Sequence, residues 1–396
     1  MPQTHIWQEQ TTTANDSTTV SVSIETPNQV QTRLWYRVPA QQSSLITPSC
    51  DPFVVATIFI AMNQGSDVVV HGEVSPSLLQ NLAEFQAVWA RWKPTRYKQI
   101  EINAEVEKEQ PTANTIERAI SAFSGGVDSC FTAFRHAKKR CGRVQRNLHA
   151  GLMVHGLDIP LQQQQIFEYA AQKSRLMLAS LNLELIPMAT NFREIEQNWD
   201  DVHGVAVASC LMLLQHGYSI GLIPSSDPYH ALNLPYGSNP ITDPLLSSRT
   251  FQIVHDGSGF TRTEKVKEIA DWPEALQNLR VCWQGDQKDR NCGRCEKCIR
   301  TILNFRVVGS GLPPCFEQDV SEREILSLGG LKEVQLTEYD PILAAAKDNF
   351  MSDSWVTALE KTIRRNRRVN TLKAYLPSTL KNRLRRSRTL LSLERQ

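Results

Sequence analysis

The chain of 396 residues exceeds the usual size of one domain, so we expect two or three domains with at least one full hydrophobic core. It holds no apolar run long enough for a membrane span, and its first residues lack the basic and apolar pattern of a secretory signal. The nine cysteines are an odd number, and four of them crowd into one short segment. This usage favours a metal site in a reducing compartment over a disulfide framework, so we expect a cytoplasmic protein.

Residues 1–115 predict an α+β domain without a recognisable chemical motif. Segments such as TTVSVSIET and TRLWYRV alternate like strands, whereas DPFVVATIFIAMNQG predicts a buried helix. The segment SPSLLQNLAEFQAVWARW predicts a helix that begins at a serine cap followed by Pro76. We expect the tryptophans of this region in the core or at a domain interface.

Residues 116–310 alternate strand-like and helix-like segments. ERAISAF predicts a short buried strand, SCFTAFRHAKKR the helix after it, and HAGLMVHG, LELIPMAT and SIGLIPSS further strands separated by helices. Strands that alternate with helices of this length predict an α/β fold, a doubly wound parallel sheet with helices on both faces. Residues 311–396 predict a third, helical region that ends in a basic tail.

This basic tail concentrates positive charge at one end of the chain. Residues 361–396 hold 12 Lys and Arg residues against one acidic residue, Glu394. Without them the totals of 43 basic and 41 acidic residues fall to 31 and 40, a net charge of about −9 for the body. Leucines mostly four residues apart give the tail an apolar stripe, interrupted by Pro377. Such a helix predicts contact with RNA, with an anionic membrane, or with the body of its own chain or a second copy in a homodimer.

The loop after the strand ERAISAF reads SGGVDS. A glycine-rich turn ahead of a helix places backbone N–H groups at the positive end of the helix dipole, where an anion is stabilised. Gly125 and Gly126 let the backbone approach a ligand closely, and the hydroxyls of Ser124 and Ser129 add donors. The spacing differs from the Gly-Lys-Ser nucleotide loop and from the dinucleotide fingerprint. The loop therefore predicts a phosphate or pyrophosphate site.

SGGVDS resembles the pyrophosphate loop of the N-type ATP pyrophosphatases, which split ATP between its α- and β-phosphates. The resemblance implies the adenine nucleotide alpha hydrolase-like fold and the use of ATP and Mg²⁺. It also implies that Asp128 lies near the Mg²⁺. The residues it assigns to the departing pyrophosphate are Ser124, Gly125, Gly126, Val127, Asp128 and Ser129.

Four cysteines in VCWQGDQKDRNCGRCEKCIRTILNF have the spacing of a metal site. Cys282, Cys292, Cys295 and Cys298 follow the pattern C-x9-C-x2-C-x2-C, and the last three can converge on one ion. Four thiolates without a nearby histidine favour tetrahedral Zn²⁺ in a closed structural site. An iron–sulfur cluster uses the same ligands and stays open here. The segment therefore predicts a zinc-binding hairpin.

The loop and the cysteine pattern together resemble the 7-cyano-7-deazaguanine synthase family over about residues 116–305. TRTEKVKEIADW is similar to that family's Thr-Lys-x-Glu helix start, with Arg262 in place of the lysine. The segments that hold the family's substrate differ, since this chain has SSDPYHALNLPYGSNPITDPLLSS and DDVHGVAVAS there. The resemblance therefore implies ATP and zinc but leaves the substrate open, and we expect one other than a deazaguanine.

The reaction that follows is the adenylation of a small-molecule carboxylate or amide. The substrate attacks the α-phosphate of ATP, pyrophosphate leaves, and ammonia or another amine then displaces AMP. Catalysis of this kind depends on positioning and on stabilisation of developing charge. The expected catalytic residues are Asp128, Ser129, Arg262 and Lys265.

Other candidate residues follow from the ends of predicted strands, where ligands bind in open parallel sheets. His155 and Asp158 come after the strand HAGLMVHG, and we expect them to line the adenosine pocket. The long loop after SIGLIPSS offers polar groups for the substrate. These candidates are Asp227, His230, Tyr236 and Asn239.

Two other functions stay open from the sequence. A tRNA-thiolating enzyme shares the loop, and the basic tail could contact RNA phosphates. It needs a sulfur-carrying cysteine near the loop, for which Cys130 is the close candidate, although a cysteine among apolar helix residues is usually a core residue. The second is a non-catalytic nucleotide-binding adaptor, which the intact SGGVDS loop disfavours.

Overall fold

A computed structural model describes residues 2–111, 117–282, 284–285 and 288–375. Its strands form one mixed eleven-stranded sheet in the order β11-β10-β7-β8-β9-β4-β3-β1-β5-β6, with β2 paired to β3. The strands are β1 (Gln3–Gln8), β2 (Thr12–Ala14), β3 (Ser17–Glu25), β4 (Gln31–Pro39), β5 (Asp67–Val74), β6 (Ile102–Glu107), β7 (Ala119–Ala122), β8 (Leu148–His155), β9 (Glu184–Thr190), β10 (Ile220–Pro224) and β11 (Gln252–Asp256). The helices are α1 (Asp51–Gln64), α2 (Pro76–Trp92), α3 (Val127–Ala137), α4 (Gln164–Ala179), α5 (Phe192–Ile195), α6 (Trp199–Met212), α7 (Arg262–Ile269), α8 (Pro273–Asn278), α9 (Glu296–Val307), α10 (Glu322–Ser327), α11 (Glu333–Asp348) and α12 (Ser354–Tyr375).

The parallel part of the sheet comprises β11, β10, β7, β8 and β9. Each neighbouring pair among them is parallel. The chain runs from β7 outwards to β8 and β9, then crosses to β10 and β11 on the other side of β7. The direction of winding therefore reverses beside β7. In open α/β sheets this point, at the carboxyl ends of the strands, is where ligands bind.

Helices cover both faces of the parallel strands, because buried side chains alternate between two cores. Ala119 and Leu222 belong to the core that contains α3, α4, α7 and α9. Their neighbours Ile120 and Ile223 point the other way, into the core that contains α1, α2 and α6. Alternation with a period of two is the geometry of a strand buried on both faces. The α/β prediction is confirmed at this level.

The N-terminal region extends the same sheet, since β4 pairs antiparallel with β9. Tyr36 donates a hydrogen bond from its hydroxyl to Ser209 Oγ of α6 at 2.9 Å, in the buried interior. Asp201 of α6 accepts a hydrogen bond from Tyr97 Oη at 2.8 Å and pairs with Lys93. The described part of the N-terminal region, residues 2–111, thus shares a sheet and a core with the region that follows. The domain boundary near residue 115 stays a prediction.

The C-terminal region is helical in its described part and packs on the core that contains α3 and α9. Leu336, Tyr339 and Leu359 are fully buried in it. Among the described helices, none combines the length and the apolarity needed to cross a bilayer. The basic tail begins at residue 361, within α12, so its first residues lie on the body of the chain.

Several charges of α12 have partners within the chain. Arg365 donates to the carbonyl oxygens of Leu326 and Leu328, and Arg367 pairs with Glu333 at 3.1 Å. These contacts belong to one of the alternatives predicted for the tail, docking on its own body. The rest of the predicted tail, residues 376–396, lies outside the described residues. Its contact with RNA, an anionic membrane or a second copy stays a prediction.

Candidate functional site

The glycine-rich loop lies between β7 and α3, at the point where the winding reverses. Gly125 has φ of +73°, a left-handed conformation that glycine adopts without strain, and Gly126 is the N-cap of α3. Ser124 Oγ accepts a hydrogen bond from the Gly126 N–H at 3.3 Å, and Ser129 Oγ donates to the Gly126 carbonyl at 3.1 Å. Val127 anchors the turn with a buried side chain. The loop thus surrounds the N-terminus of α3, where backbone N–H groups favour an anion.

Asp128 lies in the first turn of α3, in contact with two cations of α7. Its Oδ2 accepts a hydrogen bond from Arg262 Nη2 at 3.0 Å, and its Oδ1 accepts one from Lys265 Nζ at 3.2 Å. Lys265 also donates to the carbonyl and hydroxyl of Ser225, after β10, at 2.6 and 2.9 Å. Burial by itself raises the pKa of Asp128, but Arg262, Lys265 and Lys297 together lower it. The structure therefore brings three of the predicted catalytic residues together.

The position of α7 follows from a capping box at its N-terminus. Thr261 Oγ1 accepts a hydrogen bond from the Glu264 N–H at 3.2 Å, and the Glu264 carboxylate accepts one from the Thr261 N–H at 2.7 Å. The Thr-x-x-Glu pattern of the sequence therefore forms the N-terminal cap of α7. It fixes the start of α7 so that Arg262 and Lys265, three residues apart, share one face.

Asp128, Arg262 and Lys265 form an ionic cluster, which Glu338 of α11 joins although no sequence pattern indicates it. Glu338 Oε2 accepts a hydrogen bond from Arg262 Nε at 3.0 Å and forms an ion pair with Arg300 Nη1 at 2.6 Å. Arg300 of α9 also pairs with Glu296 at 3.0 Å. Burial raises the pKa of Glu338, but Arg262 and Arg300 lower it overall. Glu338 lies 76 positions after Arg262 in a segment without a motif, so packing alone brings it here.

A cleft opens beside the loop at the carboxyl ends of β7 and β8. Ser124, Asp158, Trp199 and Arg280 line it together with apolar side chains of the two strands. Arg280 donates to the Ser124 carbonyl at 3.0 and 3.2 Å, and its Nη2 lies 3.7 Å from Asp158 Oδ2. Asp158 therefore lies beside the loop, where the adenosine pocket was expected.

His155 is directed elsewhere. As the last residue of β8 it lies on the face covered by α4, where its ring stacks on Phe167 with centroids 4.5 Å apart. Its Nε2 is 2.9 Å from the Pro160 carbonyl oxygen. The ring lines a second cleft, with Trp35 and Arg37 of β4, and does not line the cleft beside the loop. The two residues predicted for adenosine thus lie in different clefts.

The long loop after β10 brings Asp227 to the ionic cluster. Burial is the largest cause that raises its pKa, and the carboxylates of Glu338 and Asp128 add to it. Arg262 and Lys265 offset part of the effect, which leaves the pKa of Asp227 at about 6. Among the four candidate substrate residues, Asp227 is the one that interacts with the predicted catalytic groups.

The other candidates of this loop differ in their surroundings. Tyr236 packs on His203 of α6 with ring centroids 4.5 Å apart, and burial raises its pKa to about 12. Asn239 is buried, and its amide donates to the Tyr236 carbonyl at 2.7 Å and to Thr242 Oγ1 at 2.8 Å. His230 is exposed on a short turn. Asn239 therefore holds the loop itself together, and Tyr236 faces the interior between the loop and α6.

The raised pKa of Asp227 predicts that its charge weakens the fold at neutral pH. An ordinary aspartate in the unfolded chain titrates at 3.8 and this one at about 6, so the folded state binds more protons between these values. Stability contributed by Asp227 therefore falls as pH rises from about 4 to 6. We expect Asp227→Asn to raise the free energy of unfolding at pH 7 by about 1 to 3 kcal/mol, since one pKa unit corresponds to about 1.4 kcal/mol.

Urea unfolding of both proteins between pH 4 and 7 measures this difference. The increase in the free energy of unfolding caused by Asp227→Asn should grow across this range. It should level off above the pKa of Asp227 in the folded protein. Exposed Asp271 provides the matched control, because Asp271→Asn removes a carboxylate that faces solvent. An Asp227→Asn variant that is less stable than wild type at pH 7 would contradict the raised pKa.

The four predicted cysteine ligands converge on one point. Their Sγ atoms all lie within 4.8 Å of one another, with Cys282 and Cys295 3.8 Å apart and Cys292 and Cys298 3.9 Å apart. A tetrahedral ion with bonds of about 2.3 Å to sulfur requires S–S distances of about 3.8 Å. Gly293 adopts φ of +71°, which permits the tight turn between ligands. The residues could therefore bind a metal such as zinc.

The cysteine cluster and the ionic cluster are joined through two short chain segments. Cys295 is the N-cap of α9, the helix that carries Arg300 to Glu338. On the other side, Arg280 lies two residues before Cys282 and donates to the Ser124 carbonyl of the glycine-rich loop. A metal bound by the cysteines would thus fix both segments that contact the site.

Comparison of the chain with protein-family models, with curated proteins and with solved structures gives no match. A functional proposal consequently depends on the chain's own loop, ionic cluster and cysteine geometry.

Proposed function

We propose that the chain is an ATP-dependent ligase that adenylates a carboxylate or amide substrate, releases pyrophosphate and lets ammonia or another amine displace AMP. The observation that carries this proposal is the convergence of Asp128, Arg262 and Lys265 on the glycine-rich loop. A phosphate at the N-terminus of α3 would contact backbone N–H groups and lie close to both cations. The site also lies where winding reverses, which is the general ligand position in such sheets.

Each group at the loop has a task in this reaction. The loop N–H groups and the hydroxyls of Ser124 and Ser129 would hold pyrophosphate as charge develops on it. Arg262 uses two of its five N–H donors on carboxylates of the described residues, so three are left for phosphate oxygens. Lys265 adds a second charge, and Asp128 is the carboxylate that would hold Mg²⁺ beside the phosphates.

Asp227 has the properties of a base for the second half-reaction. With a pKa of about 6, its carboxylate is ionised at neutral pH and still basic enough to accept a proton. As the amine nitrogen forms its bond to the acyl carbon, the bond from that carbon to the AMP oxygen breaks. One proton of the nitrogen then passes to Asp227, and AMP leaves as the anion.

The cleft between the loop and Asp158 is the place we assign to adenosine. Its walls combine apolar strand residues with Trp199 and Arg280, and it begins at Ser124 of the loop. A nucleotide with its phosphates at the loop would extend its ring into this cleft. His155 takes no part in this assignment, since its ring lines the second cleft.

The structure lends no support to the thiolation alternative. Cys130 is fully buried, its Sγ lies 3.8 Å from Met177 Sδ, and burial raises the pKa of its thiol well above the ordinary value. A sulfur carrier needs an accessible thiol that ionises readily. A non-catalytic adaptor would leave the paired charges around Asp128 without a chemical task. We therefore keep the ligase as the proposal, with Zn²⁺ in the cysteine cluster.

A screen of carboxylic acids tests the proposal. Purified protein, ATP, Mg²⁺ and ammonium are incubated with one acid at a time, and AMP is measured. We expect one chemical class of acid to raise AMP formation at least about 100-fold over the reaction without acid, the scale of well-positioned catalysis. AMP formation that is the same with and without every acid would contradict a ligase.

A further inference from the structure

We infer that Glu338, in the C-terminal helical region, is a positioning residue for the phosphate site, a role that rests on the proposed function. Its carboxylate oxygen Oε2 accepts a hydrogen bond from Arg262 Nε at 3.0 Å and forms an ion pair with Arg300 Nη1 at 2.6 Å. Arg262 donates from its other side to Asp128 at 3.0 Å. A continuous chain of ion pairs therefore runs from the glycine-rich loop to α11.

The backbone that carries Glu338 is held firmly in place. Leu336, Tyr339 and Ile342, on the same helix, are fully buried in the core shared with α9 and α12. Tyr339 Oη also donates to the Glu296 carbonyl of α9 at 3.4 Å. Because the helix is fixed on several sides, the Glu338 carboxylate has little freedom. The planar guanidinium of Arg262 is consequently oriented by two carboxylates that belong to different parts of the chain.

The surroundings of Glu338 distinguish two roles for its carboxylate, one that orients Arg262 and one that competes with phosphate for Arg262. The Glu338 side chain is 11% exposed, and it bonds to two guanidiniums that are themselves nearly buried. Replacing its charge with a neutral amide makes the site more positive, which favours binding of an anion. The same change weakens the contacts that orient Arg262, which disfavours the transition state. Binding and catalysis should therefore respond in opposite directions.

The variant Glu338→Gln tests this role with the acid found by the screen. We expect kcat for AMP formation to fall at least about 10-fold because of the misplaced Arg262, whereas KM for ATP should not rise. Affinity for inorganic pyrophosphate with Mg²⁺, measured by calorimetry, should be equal to wild type or tighter. Glu333→Gln is the matched control on the same helix, since Glu333 is 60% exposed and pairs with Arg367. It should leave all three quantities unchanged.

Two results would overturn the positioning role alone. An unchanged or higher kcat in Glu338→Gln would mean that the carboxylate merely competes with phosphate. Loss of pyrophosphate affinity together with a lower melting temperature would mean that it only supports the fold. If Glu338→Gln does not fold, Glu338→Asp takes its place, because it keeps the charge but is one methylene too short to reach both guanidiniums, and the same loss of kcat is expected. Wild-type protein that forms no AMP with any acid overturns the proposed function, and this role with it.

Discussion

Replacement of Ser124 by alanine should reduce formation of AMP and pyrophosphate at least about 100-fold and leave the fold intact, because it removes one donor to the developing charge. The hydrogen bonds of Ser124 Oγ within the protein are long, 3.3 Å to the Gly126 N–H and 3.4 Å to Ser129 Oγ. Their loss should therefore change the free energy of unfolding by less than about 1 kcal/mol.

Asp128→Ala should abolish the same products and also weaken the fold. Lys265 and Arg262 are 1% and 6% exposed, and without Asp128 they would lose a shared carboxylate. Breaking a buried ion pair by removing one partner costs about 3 to 5 kcal/mol. Turnover and urea unfolding of both variants measure these effects, and exposed Asp271→Ala is the control for each. A Ser124→Ala protein with full turnover would contradict the role of the loop.

Replacement of Cys295 by serine should release a metal from the chain and unfold the segment around it. We expect one zinc per chain in the wild-type protein by elemental analysis and none in the variant. Metal bound by four thiolates contributes folding energy, on the order of 10 kcal/mol in small zinc modules. Because Cys295 is the N-cap of α9, which carries Arg300 to Glu338, AMP formation should be lost as well.

Cys315→Ser provides the control for the zinc prediction. Cys315 is half-buried near the same segment but does not belong to the group of four converging sulfurs. This variant should keep both the metal and the turnover. Wild-type protein that contains no metal, or that contains iron and sulfide, would overturn the zinc assignment.

Features encoded within a few residues could be predicted from the sequence. The turn at Gly125 and Gly126 lies between a strand and a helix as expected, because the glycines and the apolar run are adjacent in the chain. Cys292, Cys295 and Cys298 converge because their spacing matches the turn at Gly293 and the first turn of α9. The start of α7 at Arg262 follows from its capping box, which is also a local pattern.

Features that depend on packing between distant segments were not predictable in the same way. Glu338 reaches Arg262 only because α11 packs near α7 and α9, and no local sequence pattern predicts that contact. The direction of the His155 side chain depends on the alternation of side chains at the end of β8. A shift of the strand register by one residue would reverse it. The pairing of β4 with β9, which joins the N-terminal region to the parallel strands, likewise has no short-range signal.

The position at which ATP is cleaved is the most direct test of the central claim. Phosphorus NMR of the wild-type reaction, run with Mg²⁺, ammonium and the acid found by the screen, distinguishes the two possible product pairs. A loop that holds the β- and γ-phosphates together predicts AMP and pyrophosphate in equal amounts. ADP and inorganic phosphate as the products would contradict the proposal.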